Sequence, residues 1–158
     1  MIIGIIQIGS SENKDENIRK ALEFSEKAIE EGSELIVLPE LFNFISAKGN
    51  KEDYLKNAET DNGITINNML KLAKSYNVLI IAGSITEIEN EKLYNTSYVL
   101  SSNGILGKYR KIHLFKYNNI DESKVFSPGK DPLVVDYNNK KIGVTICFDL
   151  RFPEIFRL

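Results

Sequence analysis

The segment IGVTICFDLRFPE, residues 142–154, carries most of the information on both the fold and the chemistry of this chain. The apolar run Ile142–Ile146 predicts a strand that brings Cys147, the only cysteine, to its carboxyl end. Pro153 suits the first position of a helix, so a strand, a turn and a helix start follow one another. Open α/β folds place their functional residues at such strand-to-helix corners.

Two interpretations of Cys147 are open at this point. A thiol near a helix N-terminus feels the positive end of the helix dipole, which favours the thiolate and would make Cys147 reactive. Alternatively, Cys147 is a small buried apolar residue, as most free cysteines are. The other residues of the chain decide between the two.

The composition is typical of a soluble globular domain. The 158 residues are 42% apolar and 27% charged, and the net charge is −2 with dispersed lysines and arginines. This composition supports a hydrophobic core and argues against nucleic acid as a partner. Because no apolar run approaches the ~20 residues that cross a bilayer, we expect no membrane partner.

The N-terminus and the cysteine content indicate a cytoplasmic protein. Residues Met1–Ile8 lack the basic region and the cleavage site of a signal peptide, and they predict a first strand instead. A single cysteine excludes an internal disulfide and fits a reducing compartment. One cysteine and one histidine, His113, do not suffice for a Cys/His zinc site, so no metal is expected.

Strand and helix patterns alternate through the first half of the chain. Gly32 is the expected end of the first helix, and Asp61 or Asn62 is the expected cap of the second. Residues 42–61 are expected to be irregular. The predicted elements are the strands Ile2–Ile8, Leu35–Leu38 and Val78–Gly83 and the helices Asp15–Glu31 and Ile64–Tyr76.

The second half changes to an antiparallel pattern. Asn103-Gly104 and Asn138-Asn139 each separate two strand-like segments, which predicts two β-hairpins. The sum is a mixed α/β sheet with helices packed on it. The predicted hairpin strands are Leu93–Leu100 with Ile105–Tyr109, and Leu133–Asp136 with Lys141–Cys147.

The last residues predict an unfinished element. A helix that begins near Pro153 and ends at Leu158 has barely more than one turn and no Gly or Asn stop signal. Ile155 and Phe156 would have little to pack against in such a short element. We therefore expect residues 1–158 to be a single domain that is incomplete at its C-terminal end.

Three residues with complementary chemistry are expected at one rim of the sheet. Glu40 follows the second strand, Lys111 follows the strand that ends near Tyr109, and Cys147 follows the last strand. A thiolate attacks an amide carbonyl, a carboxylate moves the thiol proton to the leaving amine, and an ammonium stabilises the oxyanion. Structural interpretations are also open, with Glu40 as a solvated or helix-start carboxylate and Lys111 as one of many lysines.

Three blocks that contain these residues resemble the signature blocks of the nitrilase, or carbon–nitrogen hydrolase, superfamily. They are Leu38–Phe42, Tyr109–Phe115 and Ile146–Glu154, in that family's order. The resemblance implies an α/β fold, the four-layer α-β-β-α sandwich, here truncated after the nucleophile strand. Since half of that sandwich is absent, we expect the chain alone to be unstable or inactive.

The resemblance also assigns roles to individual residues. It implies a catalytic triad of Glu40, Lys111 and Cys147. A second glutamate, Glu122, would help to orient the lysine and the substrate. No cofactor is implied, and a homodimer is expected.

Within the superfamily, the chain is most similar to the omega-amidase and deaminated-glutathione-amidase group. That similarity implies hydrolysis of the amide of a small α-keto acid or a related compound, with release of ammonia. Arg151 is the candidate for binding a substrate carboxylate, and Phe148 is the second candidate substrate-binding residue. An ion pair of Arg151 with Asp149 or Glu154 is an open structural alternative.

Other functions remain open on the sequence. A nitrilase or an N-carbamoyl hydrolase of the same superfamily would share the triad, and a non-catalytic fragment would need a second chain. A Cys–His protease would use Cys147 and His113. The apolar neighbours Ile112 and Leu114 favour a structural role for His113 instead.

Overall fold

A computed structural model describes residues 1–157. Three short 3₁₀ helices, Glu122–Lys124, Cys147–Arg151 and Pro153–Arg157, accompany the regular elements. The regular elements are β1 (Ile3–Ile5), α1 (Lys14–Glu30), β2 (Leu35–Val37), α2 (Lys51–Asn57), α3 (Ile64–Tyr76), β3 (Leu79–Glu89), β4 (Lys92–Ser101), β5 (Gly104–Arg110), β6 (Lys116–Tyr117), β7 (Ile120–Asp121), β8 (Leu133–Tyr137) and β9 (Lys140–Val144).

Five strands form the main sheet in the order β1-β2-β3-β4-β5. The first three strands pair in parallel, because α1 and the α2–α3 segment provide the crossovers between them. Strands β3, β4 and β5 are antiparallel and joined by tight turns. Gly104 takes φ +119° in the β4–β5 turn, where a side chain would be strained. The predicted change from parallel to antiparallel pairing is confirmed.

Helices cover one face of the main sheet, and a hairpin covers part of the other. Helices α1 and α3 bury an apolar cluster against the sheet that includes Ile36, Ile66 and Ile80. On the opposite face, Val135 and Val144 of the β8–β9 hairpin pack against the sheet. The described residues therefore contain a helical layer, the main sheet and the start of a second β layer, in agreement with the expected sandwich.

The first helix matches its prediction closely. Asn13 caps α1, because its side chain accepts a hydrogen bond from the Glu16 amide at 3.1 Å. Gly32 follows the helix with φ +96°, as expected of a stop residue. Strand β1 is shorter than predicted, and Ile5 is 78% exposed because β1 is an edge strand of the sheet.

Two predictions between residues 42 and 63 are wrong. Residues Lys51–Asn57 form helix α2, capped by the Asn50 side chain, rather than irregular structure. Gly63 is the N-cap of α3, not Asp61 or Asn62. The buried carboxylate of Glu59 accepts a hydrogen bond from the Thr65 amide at 2.9 Å. A residue outside the expected cap position thus provides the acceptor for a free amide at the start of the helix.

Strand β3 continues well beyond its predicted end at Gly83. The pairing with β4 shifts register between Ala82 and Ile85, which marks a bulge at this point. A Cβ on Gly83 would lie 1.7 Å from the carbonyl oxygen of Leu38, so only glycine fits. The backbone of β3 at Gly83 therefore lies directly against the backbone that follows β2. Gly83 is needed for this close approach and, contrary to the prediction from the sequence, does not end the strand.

The prediction of an α-helix at the C-terminal end is wrong in the type of helix. The chain forms two 3₁₀ helices, Cys147–Arg151 and Pro153–Arg157, instead of an α-helix that begins at Pro153. Leu158, the predicted end of that helix, lies outside the described residues.

Candidate active site

Glu40 lies in a tight turn after β2 that is fixed by Ser84. The Ser84 hydroxyl accepts a hydrogen bond from the Leu41 amide at 2.8 Å, and the Ser84 carbonyl accepts one from the Phe42 amide at 3.1 Å. The Ser84 amide in turn donates to the Pro39 carbonyl at 3.2 Å. The bulge after Gly83 thus positions the backbone on both sides of Glu40.

Lys111 follows β5, and its side chain is only 1% exposed. Its Nζ lies 2.8 Å from Glu40 Oε1 and 2.9 Å from Glu122 Oε2, so two carboxylates share one buried ammonium. Burial lowers the pKa of Lys111, but the hydrogen bonds and charges of Glu40 and Glu122 outweigh it and raise that pKa above its ordinary value. Lys111 is therefore a cation in this site.

The backbone of Lys111 is held on both sides. Its amide donates to the Asn95 carbonyl at 2.9 Å, and its carbonyl accepts a hydrogen bond from the Gly129 amide at 2.8 Å. A Cβ on Gly129 would lie 2.1 Å from the Arg110 carbonyl oxygen, so this approach also requires glycine.

Glu122 begins a short 3₁₀ helix and binds two different partners. One of its oxygens, Oε2, accepts a hydrogen bond from the Phe115 amide at 2.6 Å in addition to its contact with Lys111. The Glu122 amide also donates to the Phe115 carbonyl at 3.0 Å. This segment thus aims Glu122 at Lys111, as the predicted orienting role requires.

Cys147 is the first residue of its 3₁₀ helix and takes a left-handed backbone conformation with φ +46°. Although the residue is exposed, burial of the sulfur has the largest effect and raises the pKa of the thiol. The carboxylate of Glu40 raises this pKa further through its charge and by hydrogen bonding, and the Lys111 ammonium acts in the opposite direction. Glu40 and Lys111 are thus the two charged residues with the largest effects on the thiol.

The expectation of a thiolate favoured by a helix dipole is therefore wrong. No α-helix begins at Cys147, because the five-residue 3₁₀ helix gives way to a second one at Pro153. The carboxylate beside the sulfur favours the protonated thiol instead. A base must then remove the proton when the sulfur reacts.

The three residues do not share one sheet rim as predicted. Glu40 and Lys111 follow β2 and β5 of the main sheet, whereas Cys147 follows the β8–β9 hairpin, which is a separate sheet. Strand β9 ends at Val144, so a short extended segment carries the thiol from the hairpin to the main sheet. The site thus lies between two β layers.

Asn95 is a site residue that the sequence did not reveal. Its side chain is fully buried, and Nδ2 donates to Glu40 Oε1 at 2.8 Å, the same oxygen that Lys111 contacts. Both described bonds of the Glu40 carboxylate therefore use Oε1, which leaves Oε2 to accept a proton.

The two candidate substrate-binding residues have different surroundings. Phe148 is half-buried, and its ring packs edge-on against Phe115 and Phe152, with centroids 5.2 and 5.4 Å apart. Arg151 is exposed, and within residues 1–157 it forms no ion pair with Asp149 or Glu154. The structural alternative for Arg151 therefore receives no support from these residues.

His113 pairs with a carboxylate rather than with the thiol. Its Nδ1 lies 2.8 Å from Asp149 Oδ1, and its ring stacks on Phe152 with centroids 3.7 Å apart. A Cys–His mechanism would need this imidazole to take the proton of Cys147. The contacts of His113 favour the structural role instead.

A cavity of about 490 Å³ opens beside Glu40 and Glu122. Tyr54 forms part of its wall, and Lys48 and Lys124 add cationic side chains. Within the described part of the chain, no cluster of three or more His, Cys, Asp or Glu side chains has the arrangement of a metal site. Over the same residues, every helix is too short or too polar to span a bilayer.

The family model for carbon–nitrogen hydrolases matches residues 2–158. The chain belongs to the carbon–nitrogen hydrolase family. The chain is 39% identical over 167 residues to a deaminated glutathione amidase of Dictyostelium discoideum and 35% identical over 162 residues to an omega-amidase of Homo sapiens. The alignments cover 98% and 99% of this chain and 57% and 58% of those proteins.

Solved structures of the carbon–nitrogen hydrolase family agree with the fold. A crystal structure of a Saccharomyces cerevisiae protein from branch 10 of the nitrilase superfamily aligns with a TM-score of 0.84 at 33% identity. It covers 97% of this chain and 57% of that protein. The predicted fold class and the resemblance to the omega-amidase group are confirmed. The chain spans about half the length of the curated relatives that it matches.

Proposed function

We propose that this chain carries the reaction centre of a hydrolase that cleaves the amide bond of a small molecule through a Cys147 acyl-enzyme. One observation carries the proposal. Lys111, with a side chain only 1% exposed, lies 2.8 Å from Glu40 and 2.9 Å from Glu122. The same ammonium and the same Glu40 carboxylate act on the Cys147 thiol. Amide cleavage requires a nucleophile, a base and an oxyanion partner within reach of one another, and these contacts and charge effects support such a grouping.

In the first half of the proposed reaction, Glu40 removes the thiol proton as the sulfur attacks the amide carbonyl. The raised pKa of Cys147 makes this base necessary, because burial and Glu40 keep the resting thiol protonated. Lys111 stabilises the negative oxygen of the tetrahedral intermediate, with backbone amides as further donors. The carbon–nitrogen bond then breaks, the nitrogen takes the proton from Glu40, and ammonia leaves a thioester on Cys147.

In the second half, water hydrolyses the thioester. Glu40, again a carboxylate, takes a proton from the attacking water, and the new oxyanion lies beside Lys111. The carbon–sulfur bond breaks, and the proton returns to the Cys147 sulfur. The products are a free carboxylic acid and the restored thiol, so atoms and charge balance without a cofactor.

A carboxylate-bearing amide is the proposed substrate class. Arg151 is exposed near the nucleophile turn, and a planar guanidinium binds a carboxylate through two hydrogen bonds. Phe148 would contact the carbon chain of the substrate. Similarity to a protein named omega-amidase supports a terminal amide as the reacting group.

We also propose that these residues are part of one larger domain. Apolar side chains at and beside the hairpin are largely exposed, for instance Val134 at 55% and Phe156 at 55%. Covering such surface stabilises a fold by about 25 cal/mol per Å². The homodimer and the cytoplasmic location stay predictions.

Mass spectrometry of the intact chain tests the proposed function. We would incubate the chain with the monoamide of succinic acid, quench in acid and measure both the mass and the released ammonia. A succinyl adduct at Cys147, which as the only cysteine identifies the site, would support the proposal and would overturn the expectation that the chain alone is inactive. The Cys147→Ala variant is the matched control. A folded chain with no adduct and no ammonia across monoamides of several lengths would favour the non-catalytic fragment.

A further inference from the structure

Asp149, two positions after Cys147, is a buried carboxylate whose two oxygens are both fully bonded. It is fully buried, and each of its oxygens has two partners. The Tyr109 hydroxyl and the Ile146 amide donate to Oδ2 at 2.7 and 3.0 Å. On Oδ1, the His113 amide donates at 2.9 Å and His113 Nδ1 lies at 2.8 Å.

These partners belong to the two segments that meet in the candidate active site. Tyr109 and His113 flank Lys111 along the chain, two positions before and after it. Ile146 directly precedes Cys147. One carboxylate therefore joins the segment of the buried ammonium to the segment of the thiol, which otherwise belong to separate sheets.

The turn at Cys147 requires such support. A residue with a side chain seldom adopts φ +46°, and this conformation persists only where its surroundings hold it. The Asp149 amide donates to the Ile146 carbonyl at 3.1 Å, so the same residue closes the turn through its backbone and its side chain. The Asp149 carbonyl also accepts from the Phe152 amide at 3.0 Å.

Tyr109 is suited to remain a donor in this arrangement. Burial and the neighbouring Asp149 carboxylate raise the pKa of its hydroxyl well above the usual range, so the phenol stays protonated. Removal of the hydroxyl would delete one of the four bonds of Asp149 and retain its charge. Tyr109→Phe is therefore a mild perturbation of the same cluster.

We propose that Asp149 is a positioning residue for the nucleophile: it holds the Cys147 turn against the Lys111 segment and thereby keeps the sulfur within proton-transfer reach of Glu40. This inference rests on the proposed function, in which Glu40 is the base for Cys147. Asp149 itself touches none of the reacting groups. Its effect passes through the geometry of the turn.

A double-mutant cycle on the reactivity of Cys147 tests the proposal. The pH dependence of iodoacetamide alkylation, read by intact mass, reports on this single thiol without any substrate turnover. In the parent chain, Glu40→Gln should move the alkylation midpoint to lower pH, because it removes the carboxylate that favours the protonated thiol. In a chain that already carries Asp149→Asn, the same Glu40→Gln change should produce less than about half of that shift.

Asp136→Asn is the matched control, since Asp136 is a carboxylate with a side chain 78% exposed in the β8–β9 hairpin. The Glu40→Gln shift should be unchanged in its presence. If the shift is equally large with Asp149→Asn in a chain that circular dichroism shows to be folded, the positioning role is wrong. If Asp149→Asn unfolds the chain, Tyr109→Phe decides instead, and an undiminished shift in that background overturns the proposal.

The outcome is separable from that of the proposed function. A chain that shows the coupled shift but releases no ammonia would keep the positioning role and reject the amidase proposal for this chain. A chain with no Glu40→Gln shift even in the parent would reject both, because the carboxylate would then not act on the thiol.

Discussion

Arg110 and Lys111 are consecutive residues, yet they enter two buried charge clusters of opposite design. Arg110 binds Glu87, a carboxylate with a side chain 1% exposed, through bonds of 2.6 and 2.8 Å. Lys111 binds Glu40 and Glu122. In the first cluster several donors surround one carboxylate, whereas in the second several carboxylate oxygens surround one ammonium.

The Glu87 cluster is saturated. Its Oε1 accepts from Lys108 and Arg110, and its Oε2 accepts from Thr96 and Arg110. Burial acts to raise the pKa of Glu87, but the bonds from Arg110, Lys108 and Thr96 outweigh it and lower that pKa. A carboxylate with all its acceptor positions filled stabilises the fold and has none left for a reaction.

The Lys111 cluster, in contrast, is not saturated at the Glu40 carboxylate. Asn95 and Lys111 both bond to Oε1 of Glu40, so Oε2 remains available to accept a proton. Burial and ion pairing alone therefore do not distinguish a catalytic carboxylate from a structural one. The two clusters differ in how the hydrogen-bond donors are distributed over the two carboxylate oxygens.

The largest expected effect is on activity at Glu40. Glu40→Gln should lower kcat by about 10²–10⁴-fold, the usual contribution of a general base, because Gln cannot accept the thiol proton. The midpoint of urea unfolding should change little, because the buried Lys111 ammonium keeps Glu122 as its counter-ion. Equal kcat values in steady-state ammonia release would contradict the assignment of Glu40 as the base.

The second effect is on stability at Glu87. Glu87→Gln should lower the free energy of unfolding by about 2 kcal/mol, because Lys108 and Arg110 lose their shared buried carboxylate and keep only the more exposed Asp61 and Glu89. Urea unfolding measures this change. The activity per folded molecule should stay at the parent value, and a selective loss of kcat in Glu87→Gln would erase the distinction between the two clusters.

The stability that Glu87 contributes should also depend on pH. The folded-state pKa of Glu87 is lowered, so the unfolded chain binds the proton more readily. The stabilisation by Glu87 is thus fully present above about pH 4.3, the ordinary pKa of Glu, and is lost as the pH falls through the folded-state pKa. The stability difference between the parent and Glu87→Gln should shrink from pH 7 to pH 3, and a constant difference would argue against the charged cluster.

A smaller effect is expected at Asn95. Asn95→Leu removes one hydrogen bond to a charged oxygen, so kcat should fall about tenfold while KM changes little. Asn67→Leu, which alters an exposed asparagine of α3, is the matched control and should retain the parent kcat. An Asn95→Leu enzyme with parent kcat would mean that Lys111 alone orients Glu40.

The smallest effect is expected at His113. His113→Ala removes the ring contact with Asp149 but keeps the backbone bond, so kcat should fall only a few-fold. Steady-state ammonia release compared with Cys147→Ala measures it. Loss of turnover as complete as in Cys147→Ala would revive the Cys–His alternative.

The sequence predicted those parts of the molecule that depend on local patterns. Helix α1 and the two hairpins follow from periodicity, from the stop at Gly32 and from the Asn-Gly and Asn-Asn turns. Glu40 and Lys111 could be selected because each ends a strand-like segment within a recognisable block. The fold class followed from the same blocks.

The remaining features depend on contacts between distant segments. Glu59 caps α3 from outside the helix, and Asn95 reaches Glu40 across 55 positions of sequence. The bond between Tyr109 and Asp149 spans 40 positions. The direction of the Cys147 pKa was predicted wrongly because it depends on the carboxylate beside the sulfur rather than on the following helix.

The most direct test of the central claim is a titration of the Cys147 thiol. Thiolate absorbance at 240 nm is followed against pH in the parent, in Glu40→Gln and in Glu87→Gln, and each curve is corrected with its Cys147→Ala counterpart to remove the absorbance of the seven tyrosines, so that the difference reports on the only cysteine of the chain. We predict a parent midpoint above about 8.5, the ordinary value for cysteine, a lower midpoint in Glu40→Gln, and no change in Glu87→Gln. Identical midpoints in the parent and Glu40→Gln would contradict the claim that Glu40 and Cys147 form one reaction centre.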